Sequence, residues 1–113
     1  NIQIDHKKIN ILRHLCCLDG EELNIESFTT RMAEGGYSIS GGQKQRIGIA
    51  RSLYQSNKKI LILDESLSGV EESCQKIIIE RIRKYYPKLA IILVTHNKKI
   101  SNLSEKYLEL KKQ

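Results

Sequence analysis

The sequence has no tryptophan, a single phenylalanine and a single proline, and it contains no long apolar stretch. Its longest apolar runs, residues 60–63 and 89–94, are far shorter than the roughly 18 residues that suggest a membrane span. No segment has the order of charged, apolar and small residues that is typical of a secretory signal. We therefore expect a cytosolic location, with one modest aliphatic core.

Cysteine is scarce and odd in number. Cys16, Cys17 and Cys74 are the three cysteines, and two of them are adjacent, which fits neither a disulfide framework nor a C-x-x-C metal pair. We expect them to be reduced and to fill the core.

Charge is not scarce, but its pattern is uninformative. The net charge of +6 comes from 19 basic and 13 acidic side chains, without one dense basic run or interleaved aromatic residues. This pattern is typical of a solvated, lysine-rich surface. No nucleic-acid partner is expected.

Hydrophobic spacing predicts an α/β fold. Helical spacing covers residues 8–18 and 71–86, where Pro87 ends the helix, and more weakly residues 23–28; a further helix is expected from about residue 42 to 55. The apolar runs 60–63 and 90–94 predict parallel, neighbouring strands buried on both faces, in a β-α-β unit. Residues 106–110 are expected to form a last short strand.

Asp64 and Glu65 directly follow the first predicted strand. Active sites of α/β folds lie at the carboxyl ends of their strands. In phosphoryl transfer, one such carboxylate can hold Mg²⁺ through water, and its neighbour can orient or deprotonate the attacking water. A solvated strand end remains the alternative. His96, at the end of the second strand, could contact a terminal phosphate or merely cap that strand.

A second candidate site lies at the start of the long central helix. Its backbone N–H groups, a hydroxyl and the positive end of the helix dipole converge there without bulky side chains, which favours anion binding. A plain turn and helix start is the alternative, and the Gly-Gly-Gln sequence also resembles that of peptide release factors. The residues are Ser40, Gly41, Gly42 and Gln43.

The run from Ser38 to Arg46, continuing to Ala50 and Arg51, resembles the signature motif and helix of ATP-binding cassette (ABC) proteins. Other marks of that family follow in the same order. They are a Walker B strand that ends in Asp64-Glu65, a D-loop-like Ser68-Gly69-Val70-Glu71, and a switch histidine, His96. Together these motifs cover roughly residues 30–110.

The resemblance implies a P-loop NTPase-like ATPase in which two cassettes pack head to tail. Ser40, Gly41, Gly42 and Gln43 would close over ATP held by the partner cassette. Asp64 would lie in the Mg²⁺ shell, Glu65 would be the general base or would position water, and His96 would contact the terminal phosphate. The segment Thr30–Gly36 resembles the exporter element that touches the coupling helices of the transmembrane domain.

The sequence departs from the family pattern in several places. It contains no G-x-x-x-x-G-K-[ST] loop, adenine-stacking aromatic residue or glutamine loop, so we interpret it as the C-terminal half of a cassette that is inactive alone. Residues 1–55 would belong to the helical subdomain and residues 56–113 to the catalytic subdomain. Ile39 replaces the usual leucine, Gly69-Val70 the usual Ala-Leu, and Glu71 the usual D-loop aspartate.

Four functions remain open from the sequence. The leading one is the motor of a membrane exporter for a peptide, lipid or drug, located at the cytoplasmic face of the membrane. The alternatives are a soluble ABC ATPase of DNA repair or translation, a truncated cassette that binds a full partner, and a release-factor-like module. In the last, the Asp64-Glu65 pair and His96 would have no role, and Gln43 would lie in an extended loop instead of leading into a helix.

Overall fold

A computed structural model of the chain describes residues 3–20, 40–55, 57–106 and 108–110. The predicted helix at residues 23–28 and the Thr30–Gly36 segment lie outside the described residues. The other predicted helices are confirmed with small differences at their ends, and so are the two principal strands. In order, the elements are α1 His6–Leu15, α2 Gly41–Tyr54, β1 Ile60–Asp64, α3 Glu72–Tyr85, β2 Ala90–Val94 and α4 Lys98–Ser101.

Helix α1 is capped at both ends by local hydrogen bonds. The Asp5 side chain accepts a hydrogen bond from the Lys8 N–H and so caps the first turn. At the other end Cys17 adopts a left-handed conformation (φ 54°), and the Leu18 N–H donates to the Arg13 carbonyl. This pattern is a Schellman motif, which ends the helix and turns Leu18 into the core.

Strands β1 and β2 form a parallel pair, as predicted. Ile60 is paired with Ala90, and the register continues to Asp64 and Val94. Helix α3 connects the two strands and confirms the β-α-β unit. The carboxyl ends of the strands therefore meet at one edge, where the predicted site residues lie.

The prediction that both faces of this sheet are buried is wrong for the described residues. Leu61 and Leu63 are buried, whereas the alternate side chains of β1 are exposed, Ile62 by 62%. Ile92 and Val94 of β2 are also exposed. Only one face of the pair carries a packed layer of helices in the described part of the chain, because successive strand residues point to opposite sides.

Helix α3 contributes one face to the core cluster that also contains Leu61 and Leu63 of β1. Gln75, Ile78, Ile79 and Ile82 are buried and recur at helical spacing. Tyr85, three residues after Ile82, is half exposed and packs edge-on against Tyr86. The helix ends at Tyr85, two residues before Pro87, as expected.

The predicted strand at residues 106–110 is also wrong. Residues 106 and 108–110 have no strand conformation, and the sheet of the described residues contains only β1 and β2. Leu108 and Leu110 are 84% and 86% exposed. Their apolar side chains contribute no burial, and no neighbouring strand supplies the hydrogen bonds that a new edge strand requires.

The cysteines behave as expected for reduced residues in and around the core. All three are free thiols, with Cys16 fully buried. Burial raises the pKa of the Cys16 thiol to about 12 and that of Cys17 to about 11. Both are therefore poor nucleophiles at neutral pH.

The longest described helices have 14 residues with many charged side chains, so none of them could cross a bilayer.

Candidate functional site

The loop that follows β1 carries the main candidate catalytic residue. We call residues 65–71 the carboxylate loop. Glu65 has a left-handed backbone (φ 52°), and its N–H donates to the Val94 carbonyl at 3.0 Å. A non-glycine residue adopts this conformation only where its surroundings hold it, and such positions cluster at functional sites. The strained residue is thus fixed to the end of the neighbouring strand.

Glu65 and His96 come together, as the sequence predicts. The Glu65 Oε1 accepts a hydrogen bond from the backbone N–H of His96 at 3.1 Å. The imidazole Nε2 of His96 lies 3.5 Å from the same oxygen, and this side chain is fully exposed. The bond to the backbone holds the carboxylate in place, while the imidazole can reach a bound ligand from the solvent side.

A cleft of about 320 Å³ opens beside this pair. Its lining is mixed, with carboxylate, hydroxyl, amide and imidazole groups above an aliphatic floor. The polar lining residues include Glu65, Ser66, Ser68, Gln75, Thr95, His96 and Asn97. Such a surface can hold a polar ligand and a water molecule next to the Glu65 carboxylate.

Asp64 is adjacent in sequence but lies on a different side of the strand. It is exposed on the same face of β1 as Ile60 and Ile62, and it does not line the cleft. The described residues contain no group of three or more His, Cys, Asp or Glu placed to hold a metal ion. The structure therefore separates the two carboxylates that the sequence assigned to one reaction centre.

The second candidate site, at the start of α2, has a complete capping box. The Ser40 Oγ accepts from the Gln43 N–H at 3.1 Å, and the Gln43 Oε1 accepts from the Ser40 N–H at 3.0 Å. Gln43 is thereby held nearly buried, with 9% exposure, and Ser40 stays exposed. This burial within a helix argues against the extended, mobile Gly-Gly-Gln loop of a release-factor-like module.

The helix start retains the chemistry that an anion requires. The Ser40 hydroxyl accepts one bond with its oxygen, so its own hydrogen can still donate to a ligand. Gly41 and Gly42 occupy the first turn, where N–H groups have no acceptor within the helix. With the positive end of the dipole, these donors favour a negatively charged ligand in front of Ser40.

Helix α2 also contacts the carboxylate loop directly. The Gln45 side chain bonds to Glu65, Ser68 and Gly69. A Cβ atom added to Gly42 would lie 2.5 Å from the Gly69 carbonyl oxygen, so the two backbones touch. The two candidate sites are therefore parts of one packed unit.

The sequence did not single out the glutamines that hold this loop. Gln45 was noted only as part of the signature run, and its bonds reach residues at least 20 positions away, for which no local signal exists. Gln75 donates to the Val70 carbonyl at 2.7 Å from a buried position. The sequence does contain a signal for Gln75, because it is a polar residue at the same helical spacing as the apolar residues Ile78, Ile79 and Ile82.

These features place the chain in the class of α/β proteins whose site lies at the carboxyl ends of parallel strands. A sequence model described as "ABC transporter" matches residues 18–68. That segment includes the start of α2, β1 and most of the carboxylate loop. The P-loop NTPase-like fold of that family is consistent with the β-α-β unit.

Curated proteins are also similar to part of this chain. The chain is 46% identical over 67 residues to the probable multidrug resistance ABC transporter ATP-binding/permease protein YheI of Bacillus subtilis, covering 59% of this chain and 11% of that protein. ABC transporter B family member 13 of Arabidopsis thaliana is 42% identical over 69 residues, which are 61% of this chain and 6% of that protein.

A longer match is found with the multidrug resistance-like ATP-binding protein MdlA of Buchnera aphidicola. It is 37% identical over 91 residues, which are 80% of this chain and 14% of that protein. The chain thus spans only a small part of the length of these relatives. In its motifs, its family-model match and these relatives, the chain is similar to ATP-binding proteins of the ABC transporter family over part of its length.

Proposed function

We propose that this chain forms part of the ATP-binding and ATP-hydrolysing motor domain of an ABC exporter. The observation that carries the proposal is the Glu65 carboxylate, held by the His96 N–H at the carboxyl ends of two parallel strands. Three relatives are named as multidrug resistance or leukotoxin translocation proteins, which supports export. The alternative, a soluble ATPase of DNA repair or translation, receives no support from these relatives.

In this proposal Glu65 orients or deprotonates the water that attacks the terminal phosphate of ATP. Its carboxylate borders the cleft, and the bond to the His96 backbone leaves its second oxygen for a water molecule. The exposed His96 imidazole contacts the terminal phosphate beside it. Both residues act from the ends of adjacent strands, so their separation is set by the sheet.

Mg²⁺ fits this site only in part. In nucleotide sites Mg²⁺ is held by one or two protein carboxylates, substrate phosphates and water. Asp64, exposed at the end of β1 but outside the cleft, would reach the ion only through water. The ion would screen the charge of the phosphates during hydrolysis.

Ser40, Gly41, Gly42 and Gln43 bind the ATP of a partner cassette in this proposal. The exposed Ser40 hydroxyl and Gly41 N–H would contact the phosphates, whereas the buried Gly42 packs against Gly69 and the buried Gln43 side chain maintains the cap. Residues 1–55 and 56–113 are the helical and catalytic subdomains. The Thr30–Gly36 segment contacts the transmembrane domain at the cytoplasmic face of the membrane, and transport concerns a peptide, lipid or drug.

A test of the partner-cassette assignment changes Ser40 to tryptophan in an extended protein, meaning this sequence joined to an N-terminal segment with a Walker A loop. The indole occupies the space in front of the helix start. Binding of a non-hydrolysable ATP analogue, measured by calorimetry, should persist, but dimerisation driven by that analogue, measured by light scattering, should be lost.

The matched control is Ser40→Ala, which removes the same cap at a cost of about 1 kcal/mol but adds no bulk. Ser40→Ala also removes the hydroxyl proposed to contact the phosphates, so its dimerisation should weaken but persist. Normal dimerisation of Ser40→Trp would contradict the assignment, and an equal loss in both variants would show that the bulk of the indole is not the cause.

A further inference from the structure

The Gln45 amide connects the signature helix to the carboxylate loop through three hydrogen bonds. Its Nε2 donates to the Glu65 carbonyl at 3.3 Å and to the Ser68 Oγ at 3.0 Å, and its Oε1 accepts from the Gly69 N–H at 2.8 Å. The set requires donors and an acceptor on one side chain. Glutamate has no donor, and asparagine is shorter by one methylene group.

Backbone packing reinforces this connection. Gly42 lies against the Gly69 carbonyl, and a Cβ on Gly69 would come within 3.2 Å of the Gln45 Oε1 and 3.3 Å of the Gly42 nitrogen. On the other side of the loop, Gln75 of α3 holds the Val70 carbonyl at 2.7 Å. The loop is thus clamped between two glutamines, one on each adjoining helix.

The Gln45 part of this clamp, which is formed by the side chains of Gln45 and Gln75, bonds to the backbone of Glu65. Glu65 has a left-handed backbone, and its carbonyl oxygen is one of the acceptors of Gln45. The direction of the Glu65 side chain depends on that backbone, because its N–H and carbonyl fix the peptide groups on either side. A substitution at Gln45 should therefore change the orientation of the Glu65 carboxylate while Glu65 itself is left unsubstituted.

We propose that Gln45 is a positioning residue that sets the orientation of Glu65 and links it mechanically to the start of the signature helix. The proposal rests on the hydrolytic role of Glu65 given above.

The first arm of the test uses the 113-residue chain and amide hydrogen exchange. Gln45→Ala removes the acceptor of the Gly69 N–H, so exchange of that amide should accelerate by about tenfold or more. Gln45→Glu keeps the acceptor, so Gly69 should stay protected. Unchanged Gly69 exchange in Gln45→Ala would overturn the proposed clamp.

The second arm measures ATP hydrolysis by the extended protein. Gln45→Glu places a carboxylate oxygen against the Glu65 carbonyl, and the displaced base should lower kcat by about tenfold or more with KM for ATP changed less than about threefold. Gln55→Glu, the same change at the exposed C-cap residue that follows α2, is the control and should keep full activity.

The two measurements distinguish a failure of the proposed ATPase function from a failure of the positioning role of Gln45. An unsubstituted extended protein without ATPase activity would refute the proposed function, whereas the Gly69 amide would still report on the clamp. Equal kcat values for Gln45→Glu and the unsubstituted protein would refute the positioning role even if hydrolysis is intact. A loss of kcat in Gln55→Glu equal to that in Gln45→Glu would also refute it, because the effect would then be one of helix charge.

Discussion

Glu65→Gln is expected to lower ATP turnover by the extended protein by about 10²- to 10⁴-fold, the usual contribution of a general base. Glutamine keeps an oxygen that can accept from the His96 N–H, so the loop should retain its shape. The amide cannot take a proton from water. Binding of Mg-ATP should therefore persist, and steady-state hydrolysis measured beside equilibrium binding separates the two effects.

The matched control is Glu80→Gln on the exposed side of α3, away from the cleft. It removes the same charge and should leave turnover unchanged. Turnover of Glu65→Gln equal to that of the unsubstituted protein would remove Glu65 from the role of base. If ATP binding failed together with turnover, Glu65 would instead act in nucleotide binding.

The second large effect is expected at Gly42, where helix α2 touches the carboxylate loop. In Gly42→Ala the new Cβ would lie 2.5 Å from the Gly69 carbonyl oxygen, which is a backbone atom and cannot rotate away. We expect the free energy of unfolding of the 113-residue chain to fall by about 1 to 3 kcal/mol, as in other overpacked sites. Urea unfolding measures this change.

Gly48→Ala on the same helix provides the control. Its Cβ meets nothing within 4 Å, so alanine should raise the free energy of unfolding by about 0.5 to 1 kcal/mol through helix propensity alone. The expected result is that the free energy of unfolding falls in Gly42→Ala and rises in Gly48→Ala. A stabilising Gly42→Ala would show that the helix and the loop do not approach as closely as the structure has them.

Much of the fold could be predicted because its signals are local. The spacing of Leu12, Leu15 and Cys16 predicted α1, and Pro87 predicted the end of α3. The meeting of Glu65 and His96 followed from a general property, since the carboxyl ends of parallel strands share one edge. For these elements, short stretches of sequence contain the physical cause.

The errors concern features that depend on distant partners. An all-apolar strand predicts burial on both faces. Burial on both faces requires a packed layer on each, and the described residues provide none on the face that carries Ile62 and Ile92. Residues 106–110 carry strand-like composition, but the described part of the chain has no further strand beside β1 and β2 for them to pair with. The bonds of Gln45 were hidden for the same reason, because they join helix and loop across at least 20 positions.

The most direct test of the account compares ATP turnover by the 113-residue chain with turnover by the extended protein that includes a Walker A loop. We predict Mg²⁺-dependent hydrolysis in the extended protein only, because the sequence of this chain has no loop to cradle the β and γ phosphates. An extended protein that binds Mg-ATP but does not hydrolyse it, or a 113-residue chain that is active alone, would contradict it.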